Sequence, residues 1–175
     1  MRLKIVVYRW RAYPKKSSNF ALMNNAICYY HSPIGWLQLV ATDNAISGVS
    51  FVSEAGESVG TSPVLDLCQQ QLEAYFDGTL TKFSVPLRLE GTPFQRRVWE
   101  ALQTIPFGAT WSYSELAQRV GNAKACRAVG GANHRNPIAI LVPCHRVVGA
   151  SGALTGYAGG LARKQALLEH EQRMR

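Results

Sequence analysis

Residues 112–135 read SYSELAQRVGNAKACRAVGGANHR, and the spacing within them decides the fold of the half of the chain that carries them. Ser112 and Glu115 stand three apart at the head of an apolar series, Leu116, Ala117 and Val120, that stops at Gly121. This is a capping box, in which the Ser112 hydroxyl and the Glu115 carboxylate satisfy backbone N–H groups that a helix start leaves unpaired. A second helix is predicted within a few residues. From Lys124 to Arg135 a helical projection puts Ala125, Ala128, Val129 and Ala132 on one side and Lys124, Arg127, Gly131, His134 and Arg135 on the other. Helix, short glycine-containing turn and helix with a basic exposed face make a helix-turn-helix candidate. Such helix pairs also occur in proteins that never meet DNA, so both readings stay open.

Upstream, Thr92 is an N-cap candidate and Pro93 suits a first helical position, with Phe94, Val98 and Leu102 forming one stripe until Ile105-Pro106-Phe107-Gly108 closes the helix. Further back the period changes. Ile27–His31, Trp36–Ala41 and Ala45–Val52 alternate with turn residues at 32–35 and 42–44, an antiparallel meander. Pro63 then opens a helix in which Leu65, Cys68, Leu72, Tyr75 and Phe76 recur at helical spacing until Asp77-Gly78. The order of elements predicts an α+β protein: a small N-terminal α/β domain over residues 23–90, then a mostly helical domain over 91–175 containing the helix-turn-helix. Residues 1–22 hold six basic and no acidic side chains around a four-residue apolar stretch too short for a secretory segment. They are read as a poorly ordered basic extension upstream of a start at Met23.

The chain has 175 residues, 47% apolar and 17% charged, with a formal net charge of +8. At this length a core can bury roughly 70% of the unfolded chain's surface without metal or disulfide staples. No stretch approaches the roughly 18 apolar residues of a membrane span, and the four scattered cysteines without CxxC spacing suit free thiols in a reducing, cytoplasmic compartment. The charge is uneven. Residues 23–90 hold two basic and seven acidic side chains, whereas 91–175 hold eleven and four. Only the second half is therefore a candidate for a polyanion, the alternative being a solvated basic surface.

Pro143-Cys144-His145-Arg146-Val147-Val148 follows the apolar run Ile138–Val142, read as a strand that delivers a cysteine from the core. A free thiol is only a few per cent thiolate at neutral pH, and cationic or imidazole neighbours such as His145 and Arg146 would lower its pKa. A buried structural cysteine is the competing reading. Because consecutive side chains usually diverge, His145 would reach Cys144 through a water. On the last predicted helix, Leu161–Arg173, Glu171 shares a face with Lys164, Leu167 and Leu168. A carboxylate there needs a donor. An imidazole is one candidate and a helix-end salt bridge the other. The segment 149–160, GASGALTGYAGG, lets backbone approach a ligand and offers Tyr157 as a contact surface, or is a plain loop.

The segments GTPFQRRVW, IPFGATWSYSELA, ACRAVGGANHRNPIAILVPCHRVVG and GYAGGLARKQALLEHE together resemble the O6-alkylguanine-DNA alkyltransferases, densely over 91–171 and more loosely over 26–90. The alkyltransferase-like members of that family, which bind lesions without repairing them, lack the cysteine of the PCHRV motif, which stands here at Cys144. The resemblance implies a ribonuclease-H-like N-terminal domain without catalytic activity and direct repair of DNA. Cys144 would accept the alkyl group, His145 would act as base through a water, Glu171 would orient His145, and Tyr113 would contact a phosphate and donate toward guanine N3. Arg127 would enter the base stack in place of the flipped nucleotide. Lys124, Gly130, Gly131, Asn133 and Arg135 would complete the DNA-facing helix. Asn136 would brace the turn at the active site, the Val147 carbonyl would accept from the exocyclic amine, the Ala158 N–H would donate toward O6, and Tyr157 and Gly159 would line the pocket.

The implied partner is double-stranded DNA containing O6-alkylguanine or, less efficiently, O4-alkylthymine, met by a monomer, in the nucleus or nucleoid where the host requires it. No cofactor and no metal are expected, since Cys28 and His31 alone do not support the zinc that some relatives bind. The chemistry fits. The attacking sulfur needs in-line access to a carbon buried in the duplex, so the base must leave the stack, and a minor-groove wedge is one way to force it. A lesion-binding protein in which transfer plays no part is the alternative. A Cys-His hydrolase is the third reading, weakened by the lack of an oxyanion motif.

Overall fold

The computed structural model describes residues 25–175, so the predicted basic extension lies outside the described residues. Three strands, β1 (Asn25–Ser32), β2 (Gly35–Thr42) and β3 (Ala45–Val52), form an antiparallel sheet in that order. Each turn follows from its residues. Asp43 and Asn44 adopt positive φ of 49° and 63°, the paired left-handed geometry that matches strand twist in a two-residue hairpin. Ser32 Oγ donates to the Gly35 carbonyl at 2.6 Å and accepts from the Ile34 N–H, closing the first hairpin.

Helix α1 (Pro63–Phe76) buries Leu65, Cys68, Leu72 and Tyr75, the predicted stripe, toward the sheet residues Leu37 and Leu39. The outer edge of β3 is covered by two later segments. Ile46 exchanges backbone hydrogen bonds with Pro86 and Arg88, and Val49 exchanges them with Pro137 and Ala139. The second of these ties the N-terminal sheet to the segment just before Cys144. An edge covered in this way offers no template for pairing with another chain.

In the second half, α2 (Pro93–Leu102) starts at Thr92 and α3 (Tyr113–Arg119) at Ser112, each with a complete capping box. Helix α4 (Cys126–His134) follows α3, and a two-residue strand, β4 (Trp111–Ser112), pairs in parallel with β5 (Val147–Val148). Helix α5 (Leu161–Arg173) closes the chain. The core is continuous through both halves, with Leu37, Tyr75, Val98, Leu116, Val142 and Leu167 in one cluster. The architecture is the predicted α+β one.

Three local readings need correction. The run Ile138–Val142 is not a strand: beyond the bridge at Ile138 it turns, with Ile140 at φ 69° and the Val142 N–H donating to the Ile138 carbonyl at 3.1 Å. Pro137 and Pro143 bracket it and remove two donors that a ladder would need. Ala128 is exposed, because α4 buries only Val129, Ala132 and Asn133 against its neighbours. Lys124 and Ala125 precede the helix rather than open it.

Candidate active site

Cys144 opens a single 3-10 turn, Cys144–Arg146, and is 5% exposed at the end of the buried turn that precedes it. The tight turn sends consecutive side chains in different directions. The Asn136 side-chain N–H group donates to Cys144 Sγ at 3.1 Å and to the Val142 carbonyl at 2.8 Å, while its Oδ1 accepts from the Ile138 N–H at 3.1 Å. Asn136 thus braces the turn and touches the sulfur. Burial pushes the Cys144 thiol up to about 11, against the pull of Asn136 and of the nearby Lys164 ammonium. This corrects the expectation of an activated resting thiol. Arg146, expected to depress that pKa, instead points away into the core, where Nη1 donates to the Ile105 carbonyl at 2.6 Å.

His145 is fully buried and its Nε2 lies 2.8 Å from Glu171 Oε1. An ionised carboxylate only accepts, so Nε2 carries the proton and Nδ1 keeps its lone pair. Nδ1 has no protein partner among the described residues. Burial lowers the His145 pKa more than Glu171 raises it, which keeps the imidazole neutral at physiological pH. Glu171, also fully buried, accepts from His145, from Tyr75 Oη at 2.8 Å, from Arg146 Nη2 at 2.9 Å and Nε at 2.9 Å, and from the Gly108 N–H at 3.0 Å. Burial alone would raise its pKa; the hydrogen bonds from His145 and Arg146 and the Arg146 charge outweigh it and hold the carboxyl well below the usual range. Gly108 presents that N–H from a left-handed conformation, φ 71°, which favours glycine.

The predicted face of α5 is buried as read: Lys164, Leu167, Leu168 and Glu171 all lie inside. Lys164 Nζ donates to the carbonyls of Val147 at 2.6 Å and Thr155 at 2.7 Å. One lone pair of the Val147 carbonyl is therefore already engaged, and the second remains for a ligand. Tyr113 Oη reaches the Thr155 carbonyl at 3.4 Å, which places α3 against the 149–160 loop. Tyr157 is buried edge-on to Phe51 of β3, its hydroxyl without a partner among the described residues. Ala158 is exposed beside it and Gly159 is half-buried. A Cβ at Gly159 would lie 2.7 Å from both Phe51 and Tyr157, so this position has no room for a side chain.

On α4, Arg127 is exposed with Lys124 and Arg135 near it in sequence, and Gly130 and Gly131 are half-buried. Asn133 does not belong to that surface. It is 2% exposed and its Nδ2 donates to the Cys144 carbonyl at 3.4 Å, because the helical period turns it inward beside Ala132. Four contributors escaped the sequence reading: Tyr75, Gly108, Lys164 as a carbonyl donor, and Arg146 as a partner of Glu171. For the three that donate to Glu171, the signal was the certainty that a carboxylate among leucines must find donors; Lys164, on the same buried face, had to find acceptors for the same reason. A groove of about 730 Å³ lies between residues 81–89, 103–107 and 140–143, but it includes neither Tyr113 nor Tyr157. Among the described residues no group of three or more His, Cys, Asp or Glu side chains could hold a metal ion, and no helix is long and apolar enough to cross a membrane.

Comparison with known proteins gives two family models. Residues 93–173 match the DNA binding domain of 6-O-methylguanine DNA methyltransferase, and residues 27–89 match its ribonuclease-like domain. A methylated-DNA–protein-cysteine methyltransferase of Mycolicibacterium paratuberculosis is 52% identical over 147 residues, covering 81% of this chain and 89% of that protein. One of Methanosarcina acetivorans is 49% identical over 148 residues, covering 81% and 95%. The crystal structure of Mycobacterium tuberculosis O6-methylguanine methyltransferase superposes with a TM-score of 0.79 at 47% identity, covering 86% of this chain and 94% of that one. A second Mycobacterium tuberculosis structure, of OGT in complex with DNA, superposes with a TM-score of 0.77 at 49% identity, covering 83% and 92%.

Proposed function

The chain belongs to the 6-O-methylguanine DNA methyltransferase family, and from that premise we propose that it is a methylated-DNA–protein-cysteine methyltransferase that repairs O6-alkylguanine by direct reversal. Its acceptor is Cys144, and O4-alkylthymine is a poorer substrate. The observation that carries this reading is the buried sequence of contacts from Asn136 to Cys144 Sγ and from His145 to Glu171, in a chain that also exposes Arg127 on a helix of the matched DNA binding domain.

Arg127 enters the stack from the minor groove and holds the place of the flipped nucleotide, with Lys124 and Arg135 meeting phosphates. The base enters between Tyr113, the 149–160 loop and Cys144, where the Val147 carbonyl accepts from its exocyclic amine and the Ala158 N–H donates toward O6. The Cys144 thiol gives its proton through a water to His145 Nδ1, and Glu171 stabilises the imidazolium that results. The sulfur then forms a bond to the alkyl carbon as the carbon–oxygen bond breaks. The electron pair of that bond stays with the purine, which takes a proton at N3 from Tyr113 and becomes a neutral leaving group. The thiol's raised pKa suits a reagent held as thiol until the base is seated.

A thioether has no leaving group that a neighbouring residue could displace at neutral pH, so each molecule acts once. Titrating the protein with excess O6-methylguanine duplex should give a plateau of one methyl transferred per protein; product exceeding the protein would contradict a single turnover. Arg127→Ala should slow repair by roughly a hundred-fold, the effect of losing about 3 kcal/mol of unstacking support. Its affinity for undamaged duplex, which rests on phosphate contacts, should change far less. An Arg127→Ala protein that repairs at the parent rate would remove the finger assignment.

A further inference from the structure

We infer that Tyr75, contributed by the N-terminal domain, is a positioning residue for the alkyl transfer, its hydroxyl fixing the carboxylate that fixes the imidazole of His145. The inference rests on the function proposed above. Tyr75 stands in the last turn of α1, fully buried, and its Oη donates at 2.8 Å to Glu171 Oε1. That is the oxygen to which His145 Nε2 is also bound, at 2.8 Å. Arg146 Nη2 reaches it as well, at 2.9 Å, so three donors share one oxygen, Tyr75 from the N-terminal half, 96 residues away in sequence, and His145 and Arg146 from the C-terminal half, 26 and 25 residues away.

The phenol cannot swing away. Its ring meets Phe76 at 5.1 Å, Phe83 at 5.4 Å and Phe107 at 5.9 Å between centroids. On the α5 side the His170 ring lies 5.2 Å away and its Nε2 is 2.8 Å from the Tyr75 carbonyl, which can only accept, so His170 clamps the backbone of the same residue. Burial and the Glu171 charge push the Tyr75 phenol far above its ordinary range, so it remains a donor at every pH at which the protein works.

The effect on His145 follows from competition. Each donor on Oε1 draws charge from that oxygen, and a carboxylate relieved of one donor pulls harder on the Nε2 proton and favours the imidazolium. The other groups around this pair are Arg146 in the 3-10 turn, Lys164 and His170 on α5, the Cys144 thiol and the Tyr157 phenol in the loop. Arg146 holds both carboxylate oxygens from one side, and Tyr75 holds Oε1 from the other. Tyr75 so limits both the rotation of the carboxylate and its pull on the imidazole.

The test is the pH dependence of single-turnover methyl transfer from an O6-methylguanine duplex, for the full chain and for Tyr75→Phe. The variant keeps the aromatic volume and loses only the hydroxyl. The expected result is a rate roughly ten-fold lower, as for a lost hydrogen bond to a charged group, with the acid limb of the profile moved to higher pH and lesion binding retained. A uniformly scaled rate with an unshifted limb, or an unchanged rate, overturns the assignment. Replacing Tyr75 by 3-fluorotyrosine, a stronger donor of nearly the same size, should move the limb the opposite way. If Tyr75→Phe fails to fold, this second variant decides, and an unshifted limb there overturns the assignment. Absence of transfer by the parent protein would instead remove the repair reading on which the inference stands.

Discussion

Glu171→Ala should lose roughly 3–5 kcal/mol of stability, the cost of leaving a buried charge without its partner, and with it most of the transfer rate. The carboxylate is fully buried and satisfies Tyr75, Gly108, His145 and two nitrogens of Arg146. Its removal strands the Arg146 guanidinium in the core, where among the described residues the Ile105 carbonyl is left as its hydrogen-bond acceptor and the Phe107 ring as its neighbour. For a protein of this size the melting temperature should fall by roughly 10 °C or more. The pH sign is fixed by the direction of the shift. Because the folded Glu171 pKa lies below its unfolded value, the stability it contributes is fully present above the ordinary carboxylate range. That stability is lost as pH falls through the folded pKa. The gap between parent and Glu171→Ala should therefore persist at neutral pH and close only in strongly acid solution. A variant that melts within a degree or two of the parent at neutral pH would show that the five-donor cluster does not stabilise the fold.

The parts of this architecture that depend on neighbours in sequence were legible without coordinates. Ser112 and Glu115 cap α3 as their spacing required, Pro63 and Pro93 open α1 and α2, and the buried face of α5 carries Lys164 and Glu171 among leucines. Each signal is local, arising within one turn of helix or one strand. Contacts that join distant segments left no such trace. Nothing in Ala74-Tyr75-Phe76 distinguishes a tyrosine that packs from one that also donates to Glu171. Arg146 beside Cys144 and His145 invited the reading of an activating cation, but a 3-10 turn advances each residue by about 120°, and this turn sends Arg146 to Glu171 and the Ile105 carbonyl. The family resemblance implies Asn133 on the DNA-facing surface, whereas the helical period places it beneath Cys144. The run Ile138–Val142 has the composition of a strand, and two flanking prolines together with Asn136 fold it into a turn instead.

Cys144→Ala should abolish transfer completely, since no other group can form the carbon–sulfur bond at this place, while leaving the DNA-binding helix and the pocket walls intact. Lesion-containing duplex should bind the variant about as well as it binds the parent, because Arg127, Tyr113 and the 149–160 loop are untouched. The sulfur accepts a hydrogen bond from Asn136, whose amide also reaches the Val142 and Ile138 carbonyls. The loss of stability should therefore be small, about 1 kcal/mol. Cys126 is half-exposed at the start of α4 and Cys28 and Cys68 are buried in the N-terminal domain, with thiols pushed up by burial to about 11 and about 12. None of the three stands beside a His–Glu pair. A variant that still removed the methyl group would place the chemistry elsewhere, and one that neither repaired nor bound would make Cys144 a packing residue.

The direct measurement is peptide mass spectrometry of the parent protein after incubation with an O6-methylguanine duplex. The account predicts that the peptide carrying Pro143-Cys144-His145 gains the mass of one methylene, S-methyl in place of S–H, in proportion to the guanine restored. The other cysteine peptides should remain unchanged. Restored guanine with an unmodified Cys144 peptide, or a methyl group on a different cysteine, would contradict it.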